Sequence, residues 1–180
     1  MPFHHLALAT RDMQATHLFY SQAMGFELAK VEIARTPDGG WAKHFFYETG
    51  GGELMAFWEL HDDTFPQEFE TGISRAVGLP EWVNHVAFAA RDLADIEKAK
   101  QRWLDSGYGV LEIDHHWCYS VYTTDPGGTL VEFCATTGSF NDEDRALALR
   151  AITSDDLDFA PEPKVRFHKA SVTPLHERRR

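Results

Sequence analysis

The sequence predicts an α+β protein made of two paired βαβββ modules, and three observations carry that prediction. "HLALATRDM", starting at His5, recurs as "HVAFAARDL", starting at His85, eighty residues further on. Each copy is followed by a stretch with helical spacing and then by three strand-like runs parted by glycine-rich turns. Each helical stretch also has an aspartate where an N-cap belongs (Asp12, Asp92) and a glycine where a helix stops (Gly25, Gly107).

The first module is placed at residues 1–60. Its opening strand alternates apolar and small residues up to Arg11, and the helix is "MQATHLFYSQAMGF". The strands "ELAKVEIAR", "WAKHFFYET" and "ELMAFWEL" follow, parted by "TPDGG" and "GGG". Residues 61–81 are mixed in character and contain Pro66, Gly72 and Pro80. They read as a linker with one short helix at "FPQEFETGISRAV". The second module, residues 82–136, has the helix "LADIEKAKQRWLDSGY" and the strands "GVLEIDHH", "YSVYTT" and "TLVEFCA", the last two parted by "DPGG". In residues 137–180, "NDEDRALALRAI" carries a cap and helical spacing. The remaining stretch has little periodicity and three prolines, so it is expected to be disordered or an arm lying on this or a neighbouring subunit.

Composition narrows the function. The 180 residues are 43% hydrophobic, enough for a core, with no run near the roughly 18 apolar residues of a membrane span. A net charge of −11 argues against nucleic acid, and "ERRR" at the C-terminus reads as a solvated tail. Two cysteines, Cys118 and Cys134, give no disulfide framework, and the N-terminus does not read as a signal peptide, so a cytoplasmic location is expected.

One asymmetry between the halves points to chemistry. Aligned on their glycine turns, "GGELMAF" and "GGTLVEF" set Glu132 opposite Ala56. A glutamate on a buried sheet face costs several kcal/mol unless it is paired or binds a cation. Because alanine serves at the matching position, Glu132 is not needed for the fold. His5 and His85 stand at equivalent places on the first strand of each half, so a pseudo-twofold packing of the halves would let them converge with Glu132. Two imidazoles and one carboxylate make the facial triad of non-haem Fe(II) enzymes, a donor set that Zn(II), Mn(II) and Ni(II) also accept.

These residues resemble the vicinal oxygen chelate superfamily over about residues 3–136. The resemblance implies a glyoxalase-like fold, in which paired modules form an open cup-shaped mixed β-sheet with helices outside and a metal within. It implies His5, His85 and Glu132 as ligands. Ala56 departs from glyoxalase I-like members, which use a glutamate from each half. The stretch Ile113, His115, Tyr122, Asp125, Pro126, Gly128, Glu132 is similar in order and spacing to the type I extradiol dioxygenase signature. The turn residues in it are weak evidence, since such turns serve any tight hairpin. His115 and Tyr122 are the informative members.

The resemblance implies Fe(II)-dependent cleavage of a catechol-type ring by O2. His115 suits proton transfer because imidazole titrates near neutral pH, and Tyr122 suits a hydrogen bond to the substrate oxygen. A further active-site histidine is expected, with His44, His116 and His17 as candidates in that order. Trp41, Phe45, Tyr47, Phe57 and Trp117 are candidates for an aromatic pocket, although core packing is the simpler reading for most. Two rivals stand beside this reading. One is a non-redox divalent-metal lyase, isomerase or thiol transferase, which needs the triad but not His115 and Tyr122. The other is a ligand-sequestering resistance protein, whose relatives lack the metal residues. A homo-oligomer is expected, with the cup formed within one chain or by exchange across a dimer.

Overall fold

The computed structural model describes residues 3–155 and 159–178, and all statements of number or absence below concern those residues. The first module comprises β1 (His5–Thr10), α1 (Met13–Leu18), β2 (Glu27–Arg35), β3 (Trp41–Glu48) and β4 (Leu54–His61). The second comprises β5 (His85–Ala89), α2 (Leu93–Asp105), β6 (Val110–Asp114), β7 (Cys118–Thr124) and β8 (Leu130–Thr136). Helix α3 (Asp142–Ala151) and strand β9 (Lys164–His168) complete the chain. The strands form a four-stranded sheet, β1-β4-β3-β2, and a five-stranded sheet, β5-β8-β7-β6-β9. In both sheets the module's first strand runs parallel to its last, and the other pairings are antiparallel. This is the α+β architecture that the repeat predicts.

The helix signals act as read. Asp12 Oδ1 accepts the Ala15 N–H and Asp92 Oδ1 accepts the Asp95 N–H, each at 2.9 Å. Gly107 has φ +90°, and a Cβ there would lie 2.4 Å from the Thr173 carbonyl oxygen, so glycine is required twice over. The first helix departs from the single predicted segment. After α1 the chain widens into a π-helical turn, Phe19–Ala23, where the Met24 N–H donates to the Phe19 carbonyl. The wider turn buries both Phe19 and Tyr20 completely.

The short helix expected over residues 65–77 is confined to one 3₁₀ turn at its end, Arg75–Val77. The segment is tied to the β7–β8 turn instead. Thr71 donates to the Gly127 carbonyl, Glu70 accepts the Gly72 N–H, and a Cβ on Gly72 would sit 2.5 Å from the Gly128 oxygen.

The two modules of one chain meet back to back. Phe19 packs edge-on against Tyr108 with ring centroids 4.8 Å apart, and Phe26 packs against Phe88 at 5.0 Å. Arg102 Nε donates to the Ala23 carbonyl at 2.8 Å. Asp125, of the Asp-Pro-Gly-Gly turn, accepts the Tyr20 hydroxyl at 3.0 Å and the Thr129 N–H at 2.8 Å. Burial pushes its carboxyl up, and these donors oppose that. Asp125 is therefore a strut between the modules. This packing turns the faces bearing His5 and His85 away from the core: in β5, His85, Ala87 and Ala89 are exposed while Val86 and Phe88 are half-buried.

The C-terminal segment is expected as a short helix followed by an extended or disordered arm; at Lys164–His168 it is a strand, β9, seated on this chain. It pairs antiparallel with β6 and is fastened by Glu112, which is only 3% exposed. Lys100 Nζ of α2 lies 2.8 Å from Glu112 Oε2, His168 Nε2 lies 2.9 Å from it, and the Tyr119 hydroxyl donates to Oε1. Burial pushes the Glu112 carboxyl up, but the Lys100 and Tyr119 donors outweigh it and bring the pKa to about 2. A depressed folded pKa contributes stability above the unfolded value, near 4.5, that is lost as pH falls toward 2. Glu112→Gln is expected to cost about 3 kcal/mol at pH 7, from the shift at ~1.4 kcal/mol per pH unit. Urea midpoints at pH 6 and pH 3 check this, because the gap between variant and parent should narrow at the lower pH.

Candidate metal centre and active site

The site face of the second sheet is built on one cross-strand row. Ala87 pairs with Glu132, Glu132 with Tyr122, and Tyr122 with Leu111, so all four share a face. Glu132 is 4% exposed, and His85 Nε2 lies 3.1 Å from its Oε2. Among the described residues no lysine or arginine forms an ion pair with it. A buried carboxylate that faces an imidazole and no lysine or arginine is costly to the apo fold, and carboxylate with imidazole is a donor pair a divalent cation takes.

Tyr122 stands beside this pair, its ring 6.1 Å from that of His85. Its hydroxyl is 3.1 Å from His115 Nε2. Burial, and then the charge of Glu132, hold the phenol well above its ordinary range, so it is a proton donor at neutral pH. The tight β6–β7 turn positions His115, whose N–H donates to the Cys118 carbonyl. His116 takes the left-handed conformation that this turn demands, at φ +71°, and is exposed, as its alternation with His115 predicts.

The first sheet repeats this geometry with different chemistry. His5 pairs with Leu54 as His85 pairs with Leu130, and Ala7 pairs with Ala56 as Ala87 pairs with Glu132. The equivalence read from the glycine turns therefore holds residue for residue. His4 sits off this row, its Nδ1 2.8 Å from that of His5. The His5 ring is 6.1 Å from His44 and 5.7 Å from Phe46. His44 is stacked on Trp58 at 3.7 Å and is 6% exposed, and its Nε2 has no hydrogen-bond partner. Burial, and then the His5 ring, hold this imidazole below its ordinary pKa, so it is neutral near pH 7. Beside it lies an apolar hollow of about 410 Å³, floored by Ala9, Ala34 and Ala42 and walled by Trp58, Leu60 and Phe65. That volume suits a small-molecule ligand.

The structure thus brings His85, Glu132, Tyr122 and His115 together and leaves His5 on the other sheet with His44. Among the described residues no three His, Cys, Asp or Glu side chains cluster closely enough within one chain to hold a metal. Of the other candidate histidines, His17 bonds the Tyr47 hydroxyl at 3.0 Å on the core side. The aromatic residues singled out from the sequence do not line the site face. Tyr47 and Phe57 are core and Phe45 packs against it, Trp41 stacks on His61, and Trp117 packs against Phe140. Phe46 and Trp58 line it instead. Strand parity with Ala56 was the signal that could have found Trp58, and pairing of Ala56 with Phe46 gives the other.

The family profile "Glyoxalase/Bleomycin resistance protein/Dioxygenase superfamily" matches residues 3–133. No curated protein matches the sequence. Among solved structures, a glyoxylase/bleomycin resistance protein/dioxygenase domain from Frankia sp. EAN1pec is 14% identical with a TM-score of 0.57, covering 76% of this chain and 98% of that one. The fosfomycin resistance protein FosX from Listeria monocytogenes is 17% identical with a TM-score of 0.50, covering 81% and 98%. A lactoylglutathione lyase from Agrobacterium tumefaciens is 22% identical with a TM-score of 0.48, covering 74% and 92%. At these identities the likeness to the Frankia and Listeria structures is one of fold.

Proposed function

The chain belongs to the glyoxalase/bleomycin resistance protein/dioxygenase superfamily, and on that premise we propose that it is an Fe(II)-dependent extradiol dioxygenase that opens a catechol-type ring with O2. His5, His85 and Glu132 are its metal ligands, and His115 and Tyr122 its proton-handling residues. The observation that carries this reading is the adjacency of two couples on one sheet face: His85 with Glu132, and His115 with Tyr122. The first is half of a metal centre. A purely Lewis-acid enzyme has no need of the second.

His5 comes from a second copy of the chain. Back-to-back packing turns the two site faces of one chain apart, so a twofold pairing that lays the first sheet of one copy over the second sheet of the other completes two equivalent sites. It also buries the apolar hollow beside His44, as an aromatic substrate requires.

Fe(II), held by His5, His85 and Glu132, would supply the redox chemistry that joins the diol to O2. The ring bond beside the hydroxyls breaks and both oxygen atoms enter the product, so no external reductant is consumed. His115 takes the proton that the diol gives up and returns it as the ring opens, within hydrogen-bond reach of Tyr122 throughout. Tyr122 donates to the substrate oxygen. Neutral His44 faces the same space from the opposing sheet. Tyr122→Phe is expected to lower kcat/KM about 10- to 100-fold, the loss of one positioned donor, with iron content unchanged. Steady-state oxygen uptake and iron assay on one preparation check both.

The reading as a whole is tested by anaerobic purification, Fe(II) reconstitution and a panel of catechols. Oxygen uptake with yellow ring-opened products is expected. Tight zinc or manganese with no oxygen uptake on any catechol would replace ring cleavage by a Lewis-acid reaction.

A further inference from the structure

We infer that strand β9 is the distal wall of the active site and that Phe167 and Val165 on it select catechols bearing an apolar substituent, an alkyl chain or a second ring; this rests on the site proposed above. Strand β9 lies outside the segment that matches the family, residues 3–133. It extends the row that carries the chemistry. Leu111, already opposite Tyr122, pairs on its other side with Phe167, so Ala87, Glu132, Tyr122, Leu111 and Phe167 form one line across five strands. The next row sets Cys134, Ser120, Ile113 and Val165 side by side. Residues directly opposite in a ladder share a face, so Phe167 and Val165 stand on the face of Glu132 and Tyr122.

The alternation within β9 makes this costly unless it is used. Arg166 and His168 lie on the Glu112 face, although Arg166 is itself exposed, and Phe167 and Val165 are left 63% and 55% exposed on the site side. The strand is not loosely held, because buried Glu112 ties it to α2 and β7. Gly109 makes room for the aromatic ring: a Cβ there would lie 3.1 Å from Phe167 Cζ. At about 4.8 Å per strand, Phe167 is about 10 Å from Tyr122 and about 14 Å from Glu132 along the row. That is too far to touch the reacting ring and within reach of a group attached to it.

The test is equilibrium binding to the Fe(II)-reconstituted protein without oxygen, so it does not depend on turnover. The probes are catechol and 3-phenylcatechol, titrated calorimetrically. The parent is expected to prefer the phenyl compound roughly ten-fold or more, and Phe167→Ala to remove most of that preference, as burial of one ring predicts. Phe159→Ala, an exposed phenylalanine outside β9, should leave the preference intact. An equal preference in parent and Phe167→Ala overturns the proposal, as does no preference in the parent. A Phe167→Ala protein that loses self-association while keeping the preference also overturns it and assigns the strand to an interface between copies. Failure of the reaction reading is distinguishable. Preference lost in Phe167→Ala with no oxygen uptake by the parent removes ring cleavage but keeps the wall, whereas oxygen uptake without preference does the reverse. Binding of neither probe removes both.

Discussion

Glu132→Ala is expected to abolish iron binding and oxygen uptake while leaving the fold intact. Two observations set the size of the effect. Glu132 is the one carboxylate in the proposed ligand set, so its loss should exceed the roughly 10- to 100-fold that outer-shell changes cost a metal site. The matching position in the first sheet is Ala56, fully buried and in the same register against its strand neighbour, so the backbone accepts alanine there. Removing a buried carboxylate that has no lysine or arginine partner also relieves a desolvation cost, so the apo variant should melt no lower than the apo parent. Iron per chain after anaerobic desalting, and a thermal melt of both apo proteins, measure the two halves separately. An unfolded variant would show that Glu132 holds the sheet together; a variant that binds iron as the parent does would remove Glu132 from the centre.

Much of this was legible because the relevant signals are local. A period of two in "ELAKVEIAR" marks β2 at its observed bounds, and Asp12 and Asp92 cap helices because a short carboxylate fits the first free N–H groups. The repeat aligned His5 with His85 and Glu132 with Ala56, and strand register preserves that alignment. Three features were hidden for physical reasons. How the modules of one chain meet depends on aromatic packing between Phe19, Phe26, Phe88 and Tyr108, which no local periodicity encodes. "KVRFH" is five residues after two nearby prolines, too short to stand out, and it becomes a strand because β6 offers an edge and Glu112 an anchor. The linker forms only one 3₁₀ turn because Glu70 and Thr71 spend their hydrogen bonds on turn and inter-element contacts. Trp58 and Phe46 share the face of Ala56 by strand parity and cross-strand pairing, which residue type alone does not reveal.

The proposed division of the centre between two copies predicts a second large effect. His5→Ala and His85→Ala should each lose tight iron binding, since each variant homodimer lacks one ligand at both sites. A mixed dimer is different. One of its sites lacks both histidines, and the other takes His5 from the chain that keeps it and His85 with Glu132 from the other. Random pairing therefore restores about one site in four. The two variants, unfolded together and refolded as an equimolar mixture without oxygen, put this to the test, with bound Fe(II) per chain as the readout. Recovery of about a quarter of the parent's iron is the predicted result. A mixture that binds no more iron than the separate variants would contradict a metal centre built from His5 of one copy and His85 and Glu132 of the other.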